Sequence, residues 1–209
     1  MMMGKNDFRE ILDGTASLAA HCAGPRAGYN YSSVHDFVLD RGREPNHTGP
    51  IDLEQFNYLT DVAARTGLQF VAKQCFHNAA LLAMLDTESR IKYIEGFAYT
   101  GSMPVHHAWN ELDGHLIDLT RWAHNWIQPI GYKDRMPNLR NRVLGTYPEG
   151  WIYLGVQFDT QVIRDYVEKH AETSSMLDNW RDNHPLFRVS RKTPRDLDKF
   201  KKLMKGTDQ

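Results

Sequence analysis

Cysteine is scarce in this chain: Cys22 and Cys75 are its only two in 209 residues. Two thiols cannot staple a disulfide scaffold, and a reducing compartment keeps them free. Long apolar runs are missing as well, and none approaches the roughly 20 residues that a helical membrane span requires. Residues Met1 to Asp7 reach charged side chains before any apolar stretch forms. They do not read as a secretory signal, so a cytoplasmic protein without a membrane partner is expected. No internal repeat, low-complexity tract or Gly/Ser- or Pro-rich linker divides the sequence. One domain over residues 1–209 is the expected organisation. HExxH, CxxC, GxGxxG and the phosphate-loop Gly-Lys-Ser/Thr pattern do not occur, which removes the ready signatures of zinc hydrolases and nucleotide sites.

The composition that remains, 41% apolar and 24% charged, is that of an ordinary globular protein. Its net charge of −1 hides an asymmetry. Residues 186–209 hold eight Lys/Arg against three Asp, so the rest of the chain is acidic. A basic tail of this kind suits a solvated helix end, or contact with an acidic partner. Lys133, Arg135, Arg140 and Arg142 add a second basic cluster, but no aromatic residues interleave with them. A nucleic-acid partner is therefore not expected.

Helical signals fill the first third. They cover Asp7 to about Ala20, then Ser33 to Leu39, followed by the breaker run Arg41-Gly42-Arg43-Glu44-Pro45. Asp52 with Gln55 three residues later forms a capping-box variant opening a helix that ends at Gly67. Cys75 to Leu85, rich in Ala, Leu and Met, reads as a further helix. Strand patterns follow at Ile91–Tyr99, with a bulge expected at Gly96, at Pro104–Leu112 and at His115–Thr120. Asp113-Gly114 is a tight-hairpin dipeptide between the last two. Trp151–Phe158 reads as a later strand and Thr160 to about His170 as a helix. Helices first, then an antiparallel meander, define an α+β protein.

Cys75 stands at a helix start, where unpaired N–H groups favour a thiolate. A buried cysteine is more often plain core filling, so the residue needs partners to mean more. Strand alternation puts His107 and Trp109 on one face and His106, Ala108 and Asn110 on the other. A two-residue turn at Asp113-Gly114 pairs Leu112 with His115. That register brings Asp118 onto the face of His107 as a diagonal neighbour. A carboxylate there can orient an imidazole toward a thiol, the logic of a Cys-His-Asp constellation. Acyl chemistry also needs an oxyanion stabiliser. Candidates are the Cys75 backbone N–H with Gln69, six residues before Cys75, or Gln74. Trp109 is a substrate-side candidate, but packing beneath the histidine outweighs that role for so bulky an aromatic. His106, His107, His115 and Asp118 are close in sequence, but alternation scatters them over two faces, which disfavours zinc.

The segments Lys73-Gln74-Cys75-Phe76, His107-Ala108-Trp109 and Ile117-Asp118-Leu119-Thr120 occur in the order Cys, His, Asp, at spacings of 32 and 11 residues. Together they resemble the transglutaminase-like superfamily over roughly residues 70–120. Leu119 stands where that family usually has proline. The resemblance implies a papain/transglutaminase-like fold, with a Cys-bearing helix packed on an antiparallel sheet. It also implies a thiol hydrolase or acyltransferase without a cofactor, acting on a protein, peptide or small amide substrate. The alternative is the same fold without turnover, serving as a protein-binding module.

Overall fold

The computed structural model describes residues 3–23, 28–65, 73–120, 147, 149–178, 188–193 and 195. Among these are five helices and a four-stranded antiparallel sheet, an α+β arrangement. The helices are α1 (Lys5–Ala23), α2 (Val34–Arg41), α3 (Leu53–Arg65), α4 (Cys75–Leu85) and α5 (Thr160–His170). The strands are β1 (Ile91–Tyr99), β2 (Pro104–Leu112), β3 (His115–Ile117) and β4 (Ile152–Phe158), in the spatial order β3-β2-β1-β4. The expected meander is present as β1-β2-β3, and β4 returns to the far side of β1.

Local chemistry explains most boundaries. Ser33 caps α2 by accepting from the Asp36 N–H at 3.2 Å. The capping box of α3 is reciprocal: Gln55 N–H donates to Asp52 Oδ1 at 2.8 Å, and Asp52 N–H donates to Gln55 Oε1 at 3.0 Å. Asp159 opens α5, and Ala171, left-handed at φ 55, closes it. Asp86 ends α4 and turns the chain into β1 by accepting from the N–H groups of Glu88 and Ile91 and from the Tyr58 hydroxyl. Asp113 and Gly114 both have positive φ, 49 and 86, the backbone that a tight hairpin turn matching strand twist requires. Leu112 accordingly pairs with His115.

Two expectations for the strands need correction. Gly96 makes no bulge, because β1 pairs without interruption with both β2 and β4. A Cβ at Gly96 would lie 2.2 Å from the Leu154 carbonyl oxygen, so this glycine serves close backbone approach. β3 stops at Ile117 rather than Thr120. The Asp118 N–H leaves the ladder and donates to the Tyr147 hydroxyl at 2.7 Å.

One sheet face, with Tyr93, Phe97, Ala108, Leu154 and Phe158, packs under α1, α2, α4 and α5. The other face carries Ile94, Ala98, Trp109, Leu116 and Tyr153. The breaker run after α2 ties the two edges of the sheet together. Arg43 pairs with Gly155 on the edge strand β4, while His47 pairs with His115 on the opposite edge strand β3. The chain between them spans the sheet. On the way, Arg43 grips the buried carboxylate of Glu111 through two bonds of 2.9 and 2.8 Å.

Of the basic tail, residues 188–193 and 195 are described, and Arg191 and Arg195 reach α1 and α2 while most of their neighbours stay exposed. Arg191 and Arg195 both bond the buried Asp36, at 2.8 and 2.5 Å. The cluster at 133–142 lies outside the described residues.

Side chains crowd Gly155 closely, since a Cβ there would meet the Trp109 ring at 2.5 Å and Ile94 at 2.8 Å. Gly155→Ala is expected to destabilise the fold by about 1–3 kcal/mol through overpacking. Urea unfolding checks this, and a midpoint equal to wild type would contradict the described packing.

Candidate functional site

Cys75 occupies the first turn of α4. Lys73 is left-handed at φ 68, Gln74 is the last non-helical residue, and its carbonyl takes the first helical bond from the Asn78 N–H at 2.9 Å. The thiol is buried at 9% exposure, whereas Cys22 at the end of α1 is exposed. Two asparagine amides hold α4 against its neighbours. Asn110 of β2 donates to the Ala79 carbonyl at 2.9 Å, and Asn78 donates to Thr120 Oγ1 at 2.7 Å. Helix start, strand and the chain after Asp118 are thereby tied at fixed separation.

His107 comes from β2, where pairing with Gly96 leaves its ring on the face shared with Trp109. Its Nε2 lies 2.7 Å from Asp118 Oδ2, and both side chains are buried. An ionised carboxylate only accepts, so Nε2–H is the donor. Cys75 acts on the same imidazole and helps it hold its proton, and Nδ1 is the nitrogen that Asp118 leaves free. The hairpin register predicts the meeting of His107 and Asp118, and the structure shows their bond.

Electrostatics at His107 are a contest. Burial strips water from an imidazolium and pulls the pKa down. The charge and hydrogen bond of Asp118, joined by those of Cys75, outweigh that effect and push the pKa from 6.5 up to about 9.

Around this pair stands an aromatic wall. The Trp109 ring stacks at 6.2 Å from the His107 ring, and Tyr153 meets Trp109 edge to face at 5.1 Å. Trp109 is 1% exposed and packs against His107, which agrees with the core reading rather than the substrate-side one. Gln74 is exposed and its side chain caps nothing. Gln69 lies outside the described residues. His106 points to the opposite face, with Nε2 2.9 Å from the buried Glu95 Oε1 but out of line for a hydrogen bond. His115 stacks obliquely on His47 at 4.9 Å, away from Asp118. Among the described residues, no group of three His, Cys, Asp or Glu side chains is arranged to hold a metal ion.

Sequence reasoning misses four contributors. Asn78 and Asn110 sit on buried faces that are otherwise apolar, a signal in itself, because buried amides need partners. Tyr153 donates its hydroxyl to Asp118 Oδ2 at 2.9 Å, and Tyr147 receives the Asp118 N–H. Their positions depend on β4 pairing with β1, which no spacing in the sequence announces.

The chain matches no protein-family model, and neither a curated protein nor a solved structure is detectably similar to it.

A histidine with a raised folded-state pKa contributes stability that is complete below its unfolded value of 6.5 and is lost as the pH climbs through about 9. Heteronuclear NMR of the His107 ring is expected to give a midpoint well above 6.5. In Asp118→Asn burial remains without the compensating charge, so the midpoint should fall to 6.5 or below. A wild-type midpoint under 6.5 would refute this account of the site.

Proposed function

We propose that this protein is a thiol hydrolase or acyltransferase of papain/transglutaminase-like fold, acting on an amide or related acyl group. The single observation that carries the reading is the buried His107, bonded to the Asp118 carboxylate and influenced by the Cys75 thiol at a helix start. Core cysteines of the ordinary kind have no need of an imidazole pinned by a carboxylate. The sequence resemblance and the α+β arrangement support the same assignment.

In this mechanism the raised proton affinity of His107 sets the starting state. The imidazole keeps its proton at neutral pH, which complements a thiolate on Cys75. Cys75 Sγ attacks the acyl carbon, forming the C–S bond and placing negative charge on the carbonyl oxygen. The Cys75 N–H at the head of α4 is the natural donor to that oxygen, with Gln74 or Gln69 as the second. As the C–N bond breaks, His107 gives its proton to the departing amine. Water, or a second amine, then attacks the thioester and loses its proton to His107, releasing the acyl group and restoring the pair. Asp118 keeps the Nε2 proton in place throughout, so that Nδ1 does the transfer. Hydrolysis is the simpler outcome because water suffices as second substrate.

Iodoacetamide at pH 6 tests the proposal. An ordinary cysteine is only about 0.3% ionised there. Cys75 should be alkylated more than about tenfold faster than free cysteine and ahead of Cys22, and His107→Ala should abolish the advantage. Labelling of Cys22 first, or a Cys75 rate no greater than that of free cysteine, overturns the enzyme reading and leaves a binding module.

A further inference from the structure

Asp118 Oδ2 accepts two hydrogen bonds that come from two different strands of the sheet. One is from His107 Nε2 at 2.7 Å, the other from the Tyr153 hydroxyl at 2.9 Å. Tyr153 belongs to β4, two strands away from β2, and is 3% exposed. Its reach is made possible by small residues on β1: Gly96 and Ala98 pair with Gly155 and Tyr153 of β4. The ring is wedged edge to face between Trp109 at 5.1 Å and Tyr147 at 5.5 Å, and lies 6.4 Å from His107. A tyrosine clamped by two aromatics has little freedom to aim its hydroxyl elsewhere. Among the described residues, the titratable groups facing the His107–Asp118 pair include Cys75 from α4, Tyr153 from β4 and Tyr147 from the chain before β4.

We propose that Tyr153 is a positioning residue for His107, holding the Asp118 carboxylate by the oxygen that receives the imidazole and limiting how strongly that carboxylate retains the imidazole proton. Two donors on one carboxylate oxygen share its charge. The hydroxyl hydrogen also places positive charge beside the imidazolium, which weakens the pair to a set degree. Too strong a hold would leave His107 unable to release its proton to a leaving group, since a general acid works best with a proton affinity near the operating pH. The inference rests on the acyl-transfer reading for its significance, but its physical content concerns one hydrogen bond and is tested without turnover.

The experiment follows the His107 ring by NMR across pH in the full-length protein. Tyr153→Phe keeps the ring and its packing and removes only the hydroxyl. The His107 midpoint is expected to rise by about half a pH unit or more. Should Tyr153→Phe fail to fold, 3,5-difluorotyrosine incorporated at position 153, a stronger donor of nearly the same shape, gives the reciprocal result, a lowered midpoint. A midpoint that stays put or moves the other way in either variant overturns the proposal, because a tyrosine serving only as packing would not move it in this sense. Iodoacetamide labelling of the wild type separates the two ideas. Slow labelling of Cys75 sinks the enzyme reading while the His107 shift still stands or falls by itself.

Discussion

The hydrogen bond between His107 Nε2 and Asp118 Oδ2 is the constraint around which one side of this molecule is arranged. An ionised carboxylate in a dry interior is costly unless charge and hydrogen bonds meet it. Asp118 satisfies that demand by leaving the β3 ladder, giving its N–H to Tyr147 and taking donors from His107 and Tyr153. Those aromatic partners in turn need room. Gly96 and Ala98 on β1 and Gly155 on β4 leave it, and the Trp109 ring fills the space above Gly155. Cys75 then joins the imidazole from the head of α4, whose position is set by the amides of Asn78 and Asn110.

Buried carboxylates join distant segments elsewhere too. Glu95, fully inside, accepts from the Tyr93 and Ser175 hydroxyls and from the N–H groups of Met176 and Leu177, fastening the chain beyond α5 to the centre of the sheet. Glu111 holds Arg43 and with it the crossing from one sheet edge to the other. Asp36 gathers Arg191 and Arg195 and so fixes part of the C-terminal segment on α2. Its pKa is lowered because these cations and the Ser32 N–H outweigh the cost of burial. Removing one partner of such a pair leaves an uncompensated charge, which is why these joints hold more firmly than surface ion pairs of equal length.

Much of the local structure is legible in the sequence. The α4 boundaries at Cys75 and Leu85, the Asp52–Gln55 capping box, the Asp113-Gly114 turn and the faces of His107 and Trp109 all follow from short-range rules of propensity, capping and alternation. The His107–Asp118 proximity is legible for the same reason, because a hairpin register is local once its turn is known. Gly96 is an exception. A glycine in a strand signals either a bulge or a close approach, and only the neighbouring strand distinguishes them. The end of β3 is another, because the acceptor that draws Asp118 out of the ladder, Tyr147, comes from a distant part of the chain.

The sequence by itself therefore determined the helices, the hairpin and the two residues, His107 and Asp118, that meet at its open end, since each depends on contacts between residues near one another along the chain. Tertiary structure alone decided that β4 returns beside β1, that residues 43–47 cross the sheet, and that Tyr153 shares the oxygen Asp118 gives to His107. Those outcomes come from burying apolar faces and pairing charges between distant segments, and such pairings leave no periodicity or spacing in the sequence.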